Sequence, residues 1–106
     1  MNHYVLIASK NWREAADAND CFELGAKLAE KGNTVAVFMV QNGVLTACDG
    51  APELLAARDA GVMLLADAFS LRERGISTAR INESVRSSTL DFVIDRMAAG
   101  DKVIWH

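Results

Sequence analysis

The 106-residue chain is long enough to bury one hydrophobic core, and we expect a single domain over residues 1–106. Its net charge of −3 argues against the basic face of a nucleic-acid-binding protein, so we expect no nucleic-acid partner. No apolar run is long enough to cross a bilayer and the start MNHYVLIASK lacks a signal-peptide pattern, so we expect a cytoplasmic protein without a membrane partner. Two cysteines are too few for a disulfide framework and suit free thiols.

The first third of the chain predicts a strand, a helix and a second strand. Residues 4–9 form an apolar run rich in strand-forming residues, and residues 34–40 form another that is apolar on both faces. Between them a helix is predicted to begin at Asn11, with Glu14 completing a capping box, and to end at Gly32. Helical spacing places its inner face on Ala18, Cys21, Phe22, Gly25, Leu28 and Ala29.

The Asn42-Gly43 pair leaves two interpretations open. Such a pair between two apolar runs is a hairpin signal, and residues 44–48 would then form a returning strand. We favour a loop, because Pro52 is placed to open a helix over residues 52–60.

The segment from Gly61 to Ile76, GVMLLADAFSLRERGI, predicts a buried strand over residues 62–66, a tight turn and a short helix. Ser70 and Glu73 form the S-x-x-E pattern of a helix start. Asp67, between strand and helix, is best interpreted as a cap or turn residue. It could also be an acid in a pocket that tunes a neighbouring thiol or accepts a proton.

The last third predicts a short helix or an irregular loop over residues 76–86, then a helix and a final strand. Ser88 with Asp91 would start the helix and Gly100 would stop it, before a strand over residues 102–105. The inner face of this helix is predicted at Leu90, Val93, Ile94, Met97 and Ala98. The alternation of elements predicts an α/β fold of three layers, with helices on both sides of a mostly parallel sheet.

In a parallel sheet the carboxyl ends of the strands gather at one edge, where ligands usually bind. Residues that follow strands are therefore the candidate pocket: Lys10, Asn11, Asn42, Asp67 and Ser70, with Ser9, Trp12, Gln41 and His106 nearby. Asn11 and Ser70 can equally be helix caps, and Asn42 a turn residue.

Cys48 is the candidate catalytic residue. It precedes the helix opened by Pro52, and the helix N-terminus together with Lys10 would favour the thiolate. The alternative is a small buried apolar residue, which is our interpretation of Cys21 on the inner face of the first helix. His3 and His106 are isolated, so we expect no metal site. The chain also lacks a dinucleotide fingerprint, a P-loop and a nucleophile elbow, and we expect no cofactor.

The chain resembles the DsrE/DsrF-like (YchN-like) family of small sulfur-relay proteins. The order of elements, the YVLIAS strand, the VFMVQNGV segment, Arg74-Gly75 after the third strand, and the terminal strand with Trp105 carry the resemblance. It implies a flavodoxin-like fold and assembly of dimers into hexamers, from one chain or from related family subunits. In the family, sulfane sulfur passes as a cysteine persulfide between donor and acceptor proteins, in tRNA thiolation or sulfur oxidation.

The family's reactive cysteine ends the third strand, where this chain has Asp67. Some family members lack that cysteine and serve as non-carrying subunits. We therefore expect a protein of intracellular sulfur relay, sulfurtransferase-like at most, whose carrier role is lost or moved to Cys48. The alternative is a non-catalytic oligomeric scaffold or a small-ligand-binding protein that uses the same sheet edge. Self-association as a dimer, trimer or hexamer is expected in either case.

Overall fold

The computed structural model describes residues 2–15 and 17–106, and within them five strands form one parallel sheet. Each pair of neighbouring strands runs parallel, in the spatial order β4-β3-β2-β1-β5. The strands are β1 His3–Ala8, β2 Thr34–Met39, β3 Met63–Asp67, β4 Val85–Ser88 and β5 Lys102–Trp105. The predicted α/β fold with a parallel sheet is therefore confirmed.

Helices cover both faces of the sheet because the chain reverses direction across it once. From β1 to β4 every step moves the same way, and right-handed crossovers put the intervening helices on one face. The return from β4 to β5 puts the last helix on the other face. The helices are α1 Asp20–Glu30, α2 Thr46–Asp49, α3 Pro52–Asp59, α4 Ala68–Glu73 and α5 Leu90–Ala98, with 3₁₀ turns at Gln41–Leu45 and Thr78–Arg80.

The first helix begins later than the sequence predicted. Asn11 does not open α1: its carbonyl accepts the amide of Glu14 in an isolated turn, and the helix starts at Asp20. The predicted end is confirmed, because Gly32 has a φ of +89° and its amide donates to the carbonyl of Ala29. Cys21, Phe22 and Gly25 are buried on the inner face, as predicted.

Both interpretations of the Asn42-Gly43 segment are wrong: residues 41–49 form neither a returning strand nor a loop, because a 3₁₀ turn at Gln41–Leu45 leads directly into α2. Gly43 lies against the end of β1: a Cβ placed there would be 2.1 Å from the carbonyl oxygen of Ala8. A glycine is required for this contact, which seats the 3₁₀ turn on the neighbouring strand. The helix opened by Pro52 is present as predicted.

Two features of the last third differ from the prediction. β4 occupies the end of the stretch expected to be a short helix or loop, and its sequence VRSS has no apolar run to reveal it. On α5, Val93 is buried but Leu90, Ile94 and Met97 are exposed, so the predicted inner face faces mostly outward. No helix in the described residues is long and apolar enough to cross a membrane.

Candidate functional site

Asp67, at the carboxyl end of β3, is held inside the protein by the helix that follows it. Its side chain is 5% exposed, and Oδ2 accepts hydrogen bonds from the amide of Ser70 at 3.0 Å and from the Ser70 hydroxyl at 2.7 Å. Asp67 is therefore the N-cap of α4, which confirms its interpretation as a cap. The expectation that Ser70 begins the helix is wrong, because Ser70 lies inside the first turn.

Ser70 extends this contact to the neighbouring strand. Its hydroxyl oxygen accepts a hydrogen bond of 2.9 Å from the amide of Gln41, just after β2. Gln41 has a φ of +52°, in the left-handed region that is unfavourable for residues other than glycine. The bond to Ser70 helps to hold this conformation, so the ends of β2 and β3 form one rigid unit.

Arg74 closes the same unit from the far end of α4. Its Nε and Nη2 donate to Oδ1 of Asn42 at 3.2 and 3.0 Å, and its Nη1 donates to the carbonyl of Ser70 at 3.2 Å. Of the five predicted pocket residues, the structure thus joins Asn42, Asp67 and Ser70 through hydrogen bonds. Sequence reasoning missed Arg74 as a partner of Asn42, although its position in the last turn before Gly75 was visible.

Lys10 and Asn11 belong to a separate group after β1. Lys10 forms an exposed ion pair of 2.9 Å with Asp17, and this hydrogen bond lowers the pKa of the Asp17 carboxyl. Asn11 is buried, and its Oδ1 lies 3.4 Å from the amide of Arg13. His106 is seated beside β1, where its amide donates to the carbonyl of Ile7 at 2.8 Å.

Cys48 lies on α2, half-buried and packed against the main core. Burial raises the pKa of its thiol, the nearby Asp49 raises it further, and Arg80 acts in the opposite direction. The pKa is thus raised where the sequence predicted a thiolate-favouring environment, and Lys10, which was expected to stabilise the thiolate, is paired with Asp17 instead. Burial also raises the pKa of Cys21, to about 12, as expected for a core thiol.

A polar clamp ties the loop after β1 to α2, next to Cys48. The indole nitrogen of Trp12 and Nε of Arg13 both donate to Oδ2 of Asp49, at 3.1 and 3.0 Å. The amide of Trp12 also donates to the hydroxyl of Thr46 at 3.2 Å. No sequence motif announces these contacts, which join residues more than 30 positions apart.

The polar side chains described at this edge are paired with one another through hydrogen bonds and ion pairs. Within residues 2–15 and 17–106, no cluster of three or more His, Cys, Asp or Glu side chains could hold a metal ion. These hydrogen bonds hold the backbone and side chains at the carboxyl edge of the sheet in place. The candidate nucleophile next to this edge is the thiol of Cys48.

Neither a family model nor a curated protein sequence matches the chain. Solved structures do: the ychN protein from E. coli aligns over 100% of both chains with a TM-score of 0.88 and 19% identity. The chain has the YchN-like fold. MTH1491 from Methanobacterium thermoautotrophicum, a protein of unknown function, shares this fold over 100% of both chains, with a TM-score of 0.86 and 15% identity.

The YchN-like fold also extends to BT1422 from Bacteroides thetaiotaomicron, a conserved protein of unknown function. That alignment covers 99% of this chain and 95% of the other, with a TM-score of 0.79 and 10% identity. At these identities the agreement concerns the fold. It matches the fold that the resemblance to the DsrE/DsrF-like proteins implied.

Proposed function

We propose that this protein is a DsrE/DsrF-like subunit of intracellular sulfur relay whose β3–α4 turn does not carry sulfur. The proposal rests on the residue at the carboxyl end of β3 in this YchN-like fold. The resemblance places a carrier cysteine there, but this chain has Asp67, whose buried carboxylate caps α4. A carboxylate cannot hold sulfane sulfur, because the transfer needs a nucleophilic sulfur atom.

The role that remains is that of a subunit in an assembly. We propose that the protein associates with copies of itself or with related subunits, and that a cysteine of a related subunit exchanges sulfur with donor and acceptor proteins. The hydrogen-bonded edge around Asp67 and Ser70 supports a role in positioning the related subunit, because it offers that subunit a fixed surface.

Cys48 is the site to which carrier activity would have moved. Its thiol is partly exposed, but burial raises its pKa, so little thiolate is present at neutral pH. We therefore expect it to accept sulfur slowly.

The first experiment loads the folded protein with inorganic polysulfide and weighs it intact. We expect no stable gain of sulfur in the wild type or in Cys21→Ser. A gain of one sulfur atom that survives in Cys21→Ser and disappears in Cys48→Ser would contradict the non-carrying role. It would show that Cys48 carries the sulfur.

The second experiment separates a relay subunit from an unrelated scaffold. Persulfide transfer from a cysteine-bearing DsrE/DsrF-like subunit to a thiol acceptor is timed with and without this protein. A non-carrying relay subunit should bind that subunit and change the transfer rate. Absence of both binding and a rate effect, against a panel of such subunits, would leave the scaffold or ligand-binding alternative.

A further inference from the structure

The helix α5 covers only part of the sheet face on which it lies. Under it, Val5 and Ile7 of β1 and Phe38 of β2 are at most 4% exposed, and Val93 of the helix packs on them. This second core is small beside the cluster on the opposite face, where the other helices lie.

Beside α5 the same face is open over β3 and β4. A groove of about 390 Å³ lies there between Phe92 of α5 and Arg86 of β4. Met63, at the start of β3, lines this groove and is 52% exposed. We call this the open strip, defined by Met63 and Arg86 at its sides and by Leu65, which is 5% exposed, in its floor.

The outward side of α5 is apolar. Leu90, Ile94 and Met97 are 54%, 59% and 58% exposed, and their spacing of four and three residues places them on one side of the helix. We call these three residues the α5 stripe. The α5 stripe therefore lies next to the exposed side chain of Met63, and a contiguous exposed apolar surface of this kind marks an interaction site.

We propose that two copies of this chain pair face to face, with the α5 stripe of each copy packed on the open strip of the other. In a twofold arrangement the α5 stripe of each copy contacts the open strip of the other. Two copies therefore cover both surfaces, and the assembly is closed. The proposal names a surface for the self-association proposed above and rests on that association, but not on the sulfur chemistry.

Charge supports a second copy as the occupant. Arg86 gives the open strip a positive charge, whereas Asp91 and Asp95 on α5 accompany the apolar stripe with negative charges. Within the described part of the chain, none of these three side chains forms an ion pair. Each copy therefore carries both halves of a complementary surface, apolar with apolar and basic with acidic.

The test measures the dissociation constant of the full chain by sedimentation and light scattering over a range of concentrations. We expect the wild type to form a dimer or an even-numbered multiple of it. Ile94→Glu in the stripe and Met63→Glu in the strip should each weaken the pairing by about 100-fold or more, because a charge would enter an apolar contact. Both positions are exposed in the single chain, so the variants should fold, which circular dichroism verifies.

Leu24→Glu is the matched control. Leu24 is an apolar residue of α1 that is 40% exposed on the other face of the sheet, so its variant should pair like the wild type. A charge exchange gives a second test. Arg86→Glu should weaken the pairing by about tenfold, and adding Asp91→Lys and Asp95→Lys should restore it.

A wild type that stays strictly monomeric at the highest soluble concentration would overturn the proposal, and the exposed face would then serve some other partner. An oligomer that withstands both Ile94→Glu and Met63→Glu, or that is broken equally by Leu24→Glu, would overturn it too. The sulfur-loading experiment is read on the mass of the single chain, so its outcome is independent of this one.

Discussion

The hydroxyl of Ser70 donates a 2.7 Å hydrogen bond to the carboxylate of Asp67, so the end of β3 is fastened to the first turn of the helix that follows it. The amide of Ser70 donates to the same oxygen atom. Because one buried carboxylate oxygen accepts from two donors, Asp67 has a structural role. Its replacement should lower the free energy of unfolding.

Asp67→Ala should lower the free energy of unfolding by about 2 kcal/mol, because α4 loses its cap and the Ser70 hydroxyl loses its acceptor. Asp67→Asn keeps an acceptor oxygen and should cost less than about 1 kcal/mol. Urea unfolding of the three proteins provides the comparison. Equal stability of the alanine variant and the wild type would show that the cap contributes nothing.

Gln41→Gly should stabilise the protein by about 0.5–1 kcal/mol. The φ of +52° is strained for glutamine, and glycine relieves this strain at some cost in the entropy of the unfolded chain. Gln41→Ala keeps both the strain and the amide that donates to Ser70, so it should be close to the wild type. If glycine and alanine have the same effect in thermal unfolding, the backbone at this position is not strained.

Glycines 43 and 25 should respond to alanine with opposite signs. Gly43→Ala places a Cβ 2.1 Å from the carbonyl oxygen of Ala8 and should cost about 3 kcal/mol or more. At Gly25, inside α1, the nearest atoms would be 3.5 Å away, an ordinary contact. Gly25→Ala should therefore stabilise the helix by about 0.5–1 kcal/mol. Chemical denaturation checks both, and two losses of similar size would contradict the packing described for the 3₁₀ turn.

Cys21 should make the protein sensitive to alkali. Its pKa rises from 9.0 to about 12 in the folded protein, so the folded state keeps a proton that the unfolded chain releases. This contribution is fully present below pH 9.0 and is lost as the pH rises toward about 12, by up to about 1.4 kcal/mol per pH unit. The stability difference between wild type and Cys21→Ala should shrink across this window in urea titrations. A constant difference would mean that Cys21 is not protected by burial.

Cys48 should react slowly with iodoacetamide at neutral pH, compared with the same thiol in urea, because burial raises its pKa. Arg80→Ala should slow the reaction further, since the guanidinium of Arg80 favours the thiolate. The rates are measured in a Cys21→Ser background by mass spectrometry. A rate in the folded protein that exceeds the rate in urea would point to an activated thiol and would favour the relocated carrier.

The sequence was sufficient for the strands that consist of apolar runs. β1, β2 and β3 were predicted within about one residue at each end, because parallel strands covered on both faces are continuously apolar. β5 was predicted from its short Val-Ile-Trp run, although it lies at the edge of the sheet and is mostly exposed. The edge strand β4 escaped prediction, since only Val85 of its four residues is buried. Asn11 was a plausible cap by local spacing, yet the loop after β1 is held by contacts to α2 that local spacing does not encode.

The candidate site followed the same division. That Asn42, Asp67 and Ser70 would share an edge follows from their positions after strands. Which side chain accepts which proton depends on the approach of Arg74 and Gln41 across the edge, and no local rule supplies this. The outward side of α5 was predicted to face inward because helical spacing gives an apolar side without its direction.

The position of β1 between β2 and β5 has a consequence for folding during synthesis on the ribosome. β1 and β2 can pair as soon as about a third of the chain has emerged, whereas α5 and β5 are made last. Until then one sheet face, with Val5, Ile7 and Phe38, has no helix to cover it. Late in synthesis the nascent chain should therefore expose the uncovered apolar face of an incomplete sheet. Chaperones that bind exposed apolar strands should bind it during that interval.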